Sequence, residues 1–187
     1  LPELIKYLKS LEATKSIFLV TNGQEPDMIQ KLQNEDALPT QLYLSTNAAD
    51  YESFIKINKP KYDDSWERWN RTLDMLKNLD TRTVLRITLI RNYNDQKEMI
   101  PAFADMFRKA SPHFIEIKSY MHIGRSTNRL EHENMLEMHE VKKFSEQIAK
   151  QSKIFSIMDE SLVSRISILQ NNERFIDRWI PTYANTN

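Results

Sequence analysis

Apolar residues recur along this chain in two rhythms. Leu1, Leu4, Ile5, Leu8 and Leu11 fall at helical spacing, with Lys6 and Lys9 off the stripe, which predicts an amphipathic helix over residues 1–11. Ile17-Phe18-Leu19-Val20 is instead a continuous apolar run closed by the turn residues Thr21-Asn22-Gly23, the mark of a strand buried on both faces. Pro26 opens a short helix over 27–33, and Gln41 to Ser45 reads as the next strand, ending in Thr46-Asn47-Ala48. After a variable stretch around Pro60, the spacing of Trp66, Trp69, Leu73 and Leu76 predicts a helix over 65–79, capped by Asp64 or Ser65. A β-branched strand over 83–90, a helix over 97–109 and a strand over 114–122 follow, with Pro101 tolerated in the helix's first turn. Residues 126–138 are polar and irregular, 140–150 helical, and 154–158 and 165–169 read as short terminal strands.

The strands near 17, 41, 83 and 114 begin roughly 25 to 40 residues apart, the separation left by a crossover helix between parallel strands. Parallel sheets carry ligand sites at the carboxyl ends of their strands. Function is therefore expected at Thr21 to Gly23, Ser45 to Ala48, Arg91 to Asn94 and Tyr120 to Ser126. The sheet is either open or part of a barrel. Residues 1–170 read as one unit, and 171–187 as a tail with a helical start and a disordered end from Asn185.

Composition narrows the chemistry. Among 187 residues there is no cysteine, which removes disulfides, thiol nucleophiles and thiolate ligands from this stretch of chain. Two glycines, Gly23 and Gly124, are too few for a glycine-rich phosphate cradle. Lys+Arg and Asp+Glu balance at 26 each, which argues against a nucleic-acid-coating protein and leaves room for a local basic patch. No apolar run is long enough for a membrane span, and the start at Leu1 rather than Met is compatible with a fragment.

Three strand ends carry hydroxyls and amides: Thr21-Asn22-Gly23, Ser45-Thr46-Asn47 and Asn92-Tyr93-Asn94. Such groups serve equally as ligand contacts and as ordinary turn formers. Arg86 lies inside a predicted buried strand, where a guanidinium requires an internal carboxylate or a bound anion. Glu116 and Lys118 share one face of their strand, which would be the lumen of a closed barrel, or merely solvated if the strand lies at an edge. The four histidines have no metal-ligand spacing, and His122 is the one placed at a strand end. Asp159-Glu160 reads as a solvated pair before it reads as an acid–base pair. Lys56, Lys59 and Lys61 around Pro60 form a small basic loop suited to a nucleic-acid backbone.

Taken together, FLVTNGQ, PTQLYLSTNA, the two-tryptophan helix, RTVLRITLIRNYN, PHFIEIKSYMHIGRS, ENM..MHEV and DES..SR resemble the wyosine-base synthase family of radical S-adenosylmethionine enzymes, over residues 1 to about 169. The resemblance implies an α/β fold: a partial (β/α) TIM-type barrel of parallel strands with helices outside, truncated at the N-terminus. It implies S-adenosylmethionine and [4Fe-4S] clusters as cofactors, the cluster cysteines and a pyruvate-binding lysine lying upstream of the segment corresponding to Leu1. The reaction implied joins N1-methylguanosine in tRNA(Phe) with carbons of pyruvate to form the 4-demethylwyosine base, with a reductant such as a flavoprotein, in the cytoplasm and without a membrane. By position, Thr21, Asn22, Ser45, Asn47, Arg86, Met121 and His122 would contact the cofactor, Asn47 standing where members often carry an acidic residue. Lys118, Tyr120, Arg125, Ser126 and Arg129 would face substrate or tRNA, and no catalytic or metal-binding residue is expected in this segment, which alone would be inactive. Another radical S-adenosylmethionine enzyme and a non-catalytic α/β binding module are the alternatives.

Overall fold

The alternation of short apolar strands with amphipathic helices produces four parallel strands, β1 (Phe18–Thr21), β2 (Gln41–Ser45), β3 (Arg82–Leu89) and β4 (Phe114–Ser119), paired in chain order. The computed structural model describes residues 1–180; the disorder expected from Asn185 lies outside the described residues. The last two strands break the pattern. β5 (Phe155–Ser161) and β6 (Ile166–Asn171) are antiparallel, and β6 inserts between β4 and β5, giving the order β1-β2-β3-β4-β6-β5. The connection 162–165 is far too short for a crossover helix, so these two strands can only form a hairpin. The sheet is therefore mixed rather than wholly parallel.

Six α-helices, α1 (Pro2–Ser10), α2 (Pro26–Asn34), α3 (Tyr51–Asn58), α4 (Ser65–Met75), α5 (Ile100–Ala110) and α6 (Met138–Ser152), contribute Ile5, Ile29, Phe54, Leu73, Phe107 and Ile148 to one core with Leu42, Leu44, Leu85, Ile87 and Ile115 of the strands. Side chains alternate along a strand, so the other face of the same sheet presents Tyr43, Arg82, Val84, Arg86, Phe114, Glu116 and Lys118. Its amino-end half is covered by residues 172–180. Arg82 lies over the Phe114 ring at 4.4 Å and donates to the carbonyls of Asp177 (2.5 Å) and Arg178 (2.6 Å), while Gln170 donates to that of Ile176 (2.9 Å). These side chains take carbonyls that a helix would have used, and residues 172–180 run as irregular chain instead of the expected helical start.

Other expectations shift in instructive ways. The strand expected to be buried on both faces is the outer strand of the described sheet, with Phe18 51% and Val20 52% exposed on the polar face. In α1 only Pro2 and Ile5 are buried; of the rest of the stripe, Leu1, Leu4 and Leu11 are exposed and Leu8 is half-buried. The expected strand 114–122 stops at Ser119, whose Oγ donates to the carbonyl of Tyr120 and accepts from the amide of Leu136, drawing the chain out of the sheet. α3 was hidden in the variable stretch. Its signal is Asp50, whose carboxylate caps the amide of Ser53 (2.8 Å), followed by the buried Phe54 and Ile57. Asp64, at the start of α4, makes no side-chain cap; its carboxylate binds Arg68 at 2.8 Å, which lowers its pKa.

Candidate functional site

The carboxyl ends of β1, β2, β3 and β4 lie along one edge, as parallel pairing requires. Outside β1 and β2 is a cavity of about 530 Å³ walled by Asn22, Gln24, Ser45, Asn47, Lys59 and Tyr62, among others. It brings together three of the residues expected at the cofactor and the lysine loop that sequence alone left apart. The amides are partly committed: Asn22 Oδ1 accepts from the amide of Gln24, and Asn47 Oδ1 accepts from that of Thr88. Thr21 Oγ1 accepts from the amide of Gly23. The buried Oε1 of Gln24 has no hydrogen-bond partner among the described residues, an acceptor that a donor in the cavity would satisfy.

Gly23 serves the wall from behind. Its φ of +76° is open to glycine, and a Cβ there would lie 2.7 Å from Leu44 Cδ1 and 3.1 Å from Trp69 Cδ1. The close approach is thus to the core. Trp69 also donates from Nε1 to the carbonyl of Ser45 (3.2 Å), and Thr72 to that of Gly23 (2.8 Å), so α4 fixes both strand ends. Trp66 and Trp69 stack on each other at 5.2 Å, Trp69 within the core and Trp66 partly buried against it.

On the polar face, Ser45, Arg86 and Glu116 are register partners across three strands. Arg86 donates from Nε to Glu116 Oε1 at 2.7 Å and from Nη2 to Oε2 at 3.4 Å, and its guanidinium lies over the Tyr43 ring at 4.4 Å. The internal carboxylate is therefore present, and Nη1 keeps no protein partner among the described residues. Burial, then the Glu116 charge, push the Tyr43 hydroxyl's pKa up, although Arg86 opposes them. One step nearer the carboxyl edge, Lys118 shares this face and has no ion pair or hydrogen bond among the described residues.

The Asn92-Tyr93-Asn94 cluster proves to be a turn. Asn92 has a φ of +68°, and the fully buried Asn94 accepts from the amide of Ile90 (2.7 Å) while donating to the carbonyls of Asn47 and Thr88 (2.9 Å each). Asn94 thereby ties the β2 end to the β3 end. Arg91, which opens that expected segment, is committed as well. It grips Glu140 with both terminal nitrogens (2.7 and 2.6 Å) and the carbonyls of Glu133 and Met135, anchoring the polar loop before α6. Burial pushes the Glu140 carboxyl up, but the Arg91 and Glu137 hydrogen bonds outweigh it and hold its pKa low.

Beyond β4, Tyr120 is 5% exposed in a small second core with Ile57, Ile90 and Leu130, and its hydroxyl reaches His122 Nδ1 at 3.2 Å. Packing takes its ring, so any contact with a ligand passes through His122. Met121 is 46% exposed, and Arg125, Ser126 and Arg129 belong to or follow an exposed 3₁₀ turn at Gly124–Asn128. Ser126 Oγ is spent on the carbonyl of Ile123. Asp159 and Glu160 sit on the outer strand β5, bound to Arg178 and Lys142. Among the described residues no helix is long and apolar enough to cross a membrane, and no group of three or more His, Cys, Asp or Glu is placed to hold a metal.

The family model described as wyosine base formation matches residues 109–171, from the end of α5 through β6. The S-adenosyl-L-methionine-dependent tRNA 4-demethylwyosine synthase of Methanocaldococcus jannaschii is 41% identical over 179 residues, 95% of this chain and 53% of that protein. Its counterpart in Pyrococcus abyssi is 38% identical over 156 residues, 83% of this chain and 45% of that one. A solved structure of TYW1 with a lysine-pyruvate adduct bound superposes with a TM-score of 0.74 at 40% identity, over 85% of this chain and 48% of that chain. The chain spans about half the length of the relatives it matches.

Proposed function

The chain belongs to the wyosine-base synthase family, corresponding to the carboxyl-terminal part of its members, and from that premise we propose that it is a portion of a radical S-adenosylmethionine enzyme forming 4-demethylwyosine in tRNA(Phe). The observation that carries the reading is the 41% identity sustained over 179 residues, 95% of this chain. In this reading the mixed sheet is one side of a partial (β/α) barrel whose lumen is the polar face. The substrate is N1-methylguanosine within tRNA, pyruvate donates the added carbons, a flavoprotein-type reductant supplies electrons, and the reaction is cytoplasmic.

S-adenosylmethionine fits the residues present: an amide- and hydroxyl-rich cavity with one unsatisfied buried acceptor, beside a cation with a free edge. When bound it would supply the carbon–sulfur bond whose reductive cleavage starts radical chemistry. Asn22, Ser45 and Asn47 would receive its hydroxyl and amino groups, with Thr21 shaping the turn beneath, and Met121 and His122 would flank the outer wall. Arg86 would offer Nη1 to the carboxylate while Glu116 and Tyr43 hold the guanidinium in place. An iron–sulfur cluster does not fit this chain's own residues, since it has no cysteine, and no step is assigned to one here. The chain by itself is accordingly proposed to be inactive, its part being to bind, to orient and to present Lys118, His122 (braced by Tyr120), Arg125, Ser126 and Arg129 to the tRNA.

Expression of the full-length protein in cells that make N1-methylguanosine but no wyosine base tests the reading, with tRNA nucleosides read by mass spectrometry. 4-Demethylwyosine is expected, and its absence despite soluble, cluster-loaded protein sinks the proposal. Arg86→Ala in the same protein should weaken S-adenosylmethionine binding by roughly 1–3 kcal/mol, the loss of one charge-assisted contact. Unchanged affinity in the folded variant removes Arg86 from the cofactor site.

A further inference from the structure

The chain has eleven arginines, and nine of them are engaged. Seven guanidinium groups meet carboxylates, and those of Arg82 and Arg174 donate to backbone carbonyls. Arg125 and Arg129 are the two whose guanidinium groups make no hydrogen bond or ion pair among the described residues, and both lie at the 3₁₀ turn after β4. Both side chains are exposed, so their charge stays available to an anionic ligand, and two such groups on one turn of a net-neutral protein mark a local cationic patch.

The notch beside that turn strengthens it. Arg129, Lys56 and Lys59 share its lining, about 80 Å³ over a floor of Ile57, Ile90 and Leu130. Lys56 rests its ammonium 5.0 Å from the centre of the Tyr93 ring, which aims the charge without neutralising it. Lys59, held at the end of α3 with a φ of +46°, lines both this notch and the large cavity at the β1 and β2 ends. Nearby carboxylates are turned to other work: Asp95 accepts from the amide of Asn92 and from Gln96, and Glu131 forms the capping box at His132–Asn134. Glu52, one turn before Lys56, makes no ion pair with it. The notch is therefore lined by three cations and, at about 80 Å³, is too small for a whole nucleotide.

We propose that this notch binds the sugar–phosphate backbone of the tRNA next to the nucleoside being modified, with Lys56, Lys59 and Arg129 taking phosphate oxygens. The inference rests on the tRNA reading above and adds a site built from two segments far apart in the chain. Phosphate contacts of this kind fix register while leaving the base free to enter the neighbouring cavity. The affinity they give must fall steeply with salt.

The test compares the full-length protein with its Lys56→Gln/Lys59→Gln/Arg129→Gln variant and with the charge-conserving Lys56→Arg/Lys59→Arg/Arg129→Lys variant. Unmodified tRNA(Phe) binding is measured across a salt series, and thermal melting and far-ultraviolet circular dichroism serve as controls for folding. The glutamine variant should bind tRNA on the order of tenfold or more weakly at physiological salt, with the slope of log K against log salt reduced by roughly 2 to 3. The charge-conserving variant should keep both. Wild-type tRNA binding matched by the glutamine variant in affinity and slope would reject the notch and leave the tRNA reading standing; absence of tRNA binding by the wild type would overturn both.

Discussion

The two faces of the one sheet are built on opposite rules. Toward the helices, Leu42, Leu44, Leu85, Ile87 and Ile115 are all fully buried by apolar side chains. On the reverse, at the intervening positions of the same strands, Tyr43, Arg86, Glu116 and Lys118 present an ion pair, a stacked ring and a free ammonium. A helix-packed parallel sheet tolerates little charge on either face, so the second face is shaped to meet something other than helices. The contrast separates residues that hold the fold from residues that hold a ligand, though both are largely out of solvent.

That division makes graded expectations. Leu85→Ala, on the helix side of the central strand, should cost about 3–4 kcal/mol in urea or thermal unfolding, because a fully buried leucine leaves a cavity in a packed core. A loss below about 1 kcal/mol would mean that the helix side is not the main core. Glu116→Gln, on the polar side, should cost roughly 1–3 kcal/mol, reduced from the fully buried case because Arg86 is 28% exposed. Replacing both partners by apolar residues, Arg86→Met with Glu116→Leu, should recover part of the loss. If the double variant is as damaged as the sum of the single ones, the pair is a stabilising element in its own right and the polar face is less specialised than argued.

A pH test reaches the amino ends of β3 and β4. His113 Nδ1 accepts from the amide of Thr83 at 3.1 Å, and burial, followed by the charges of Arg174 and Arg82, lowers its pKa to about 4. The unfolded chain binds the proton from about pH 6.5 downward while the folded one refuses it until about 4. Its contribution is thus complete above pH 6.5 and is lost as pH falls through that window, amounting to about 2 kcal/mol after allowance for a partly exposed ring. His113→Gln should flatten the stability curve between pH 6.5 and 4; an unchanged slope would assign the acid sensitivity to other groups. The smallest effect is expected of Phe18→Ser, at the outer strand of the polar face. With 51% of the residue exposed, the change should stay within about 0.5 kcal/mol, and a larger loss would show that β1 is more firmly covered than its exposure implies.

Much of the fold was legible because burial leaves a periodic trace. The β1 to β4 series and the helices between them follow from runs such as Phe18-Leu19-Val20 and from the spacing of Trp69, Leu73 and Leu76. The order of the last hairpin was not, since either of its strands could have paired with β4 and the local pattern does not choose between them. α3 was overlooked although Asp50 marks its start, and the irregular path of 172–180 could not be read from local pattern because distant Arg82 and Gln170 claim its carbonyls. At the candidate site, strand ends with polar residues were visible. Which of them face a cavity and which, like Asn94, are consumed in stitching strands together was not.

What the sequence determined by itself was a series of local choices: helix or strand, the exclusion of thiol chemistry, and an unusual arginine in an apolar strand. Local propensity and side-chain periodicity act over a few residues, so they survive in the linear order. Only the tertiary structure decided that Arg86 meets Glu116 and lies over Tyr43, that Gly23 makes room for Leu44 and Trp69, and that Lys56, Lys59 and Arg129 share one notch. Those outcomes depend on strand order and register, which bring residues roughly twenty to seventy positions apart side by side and leave no periodic mark in the chain.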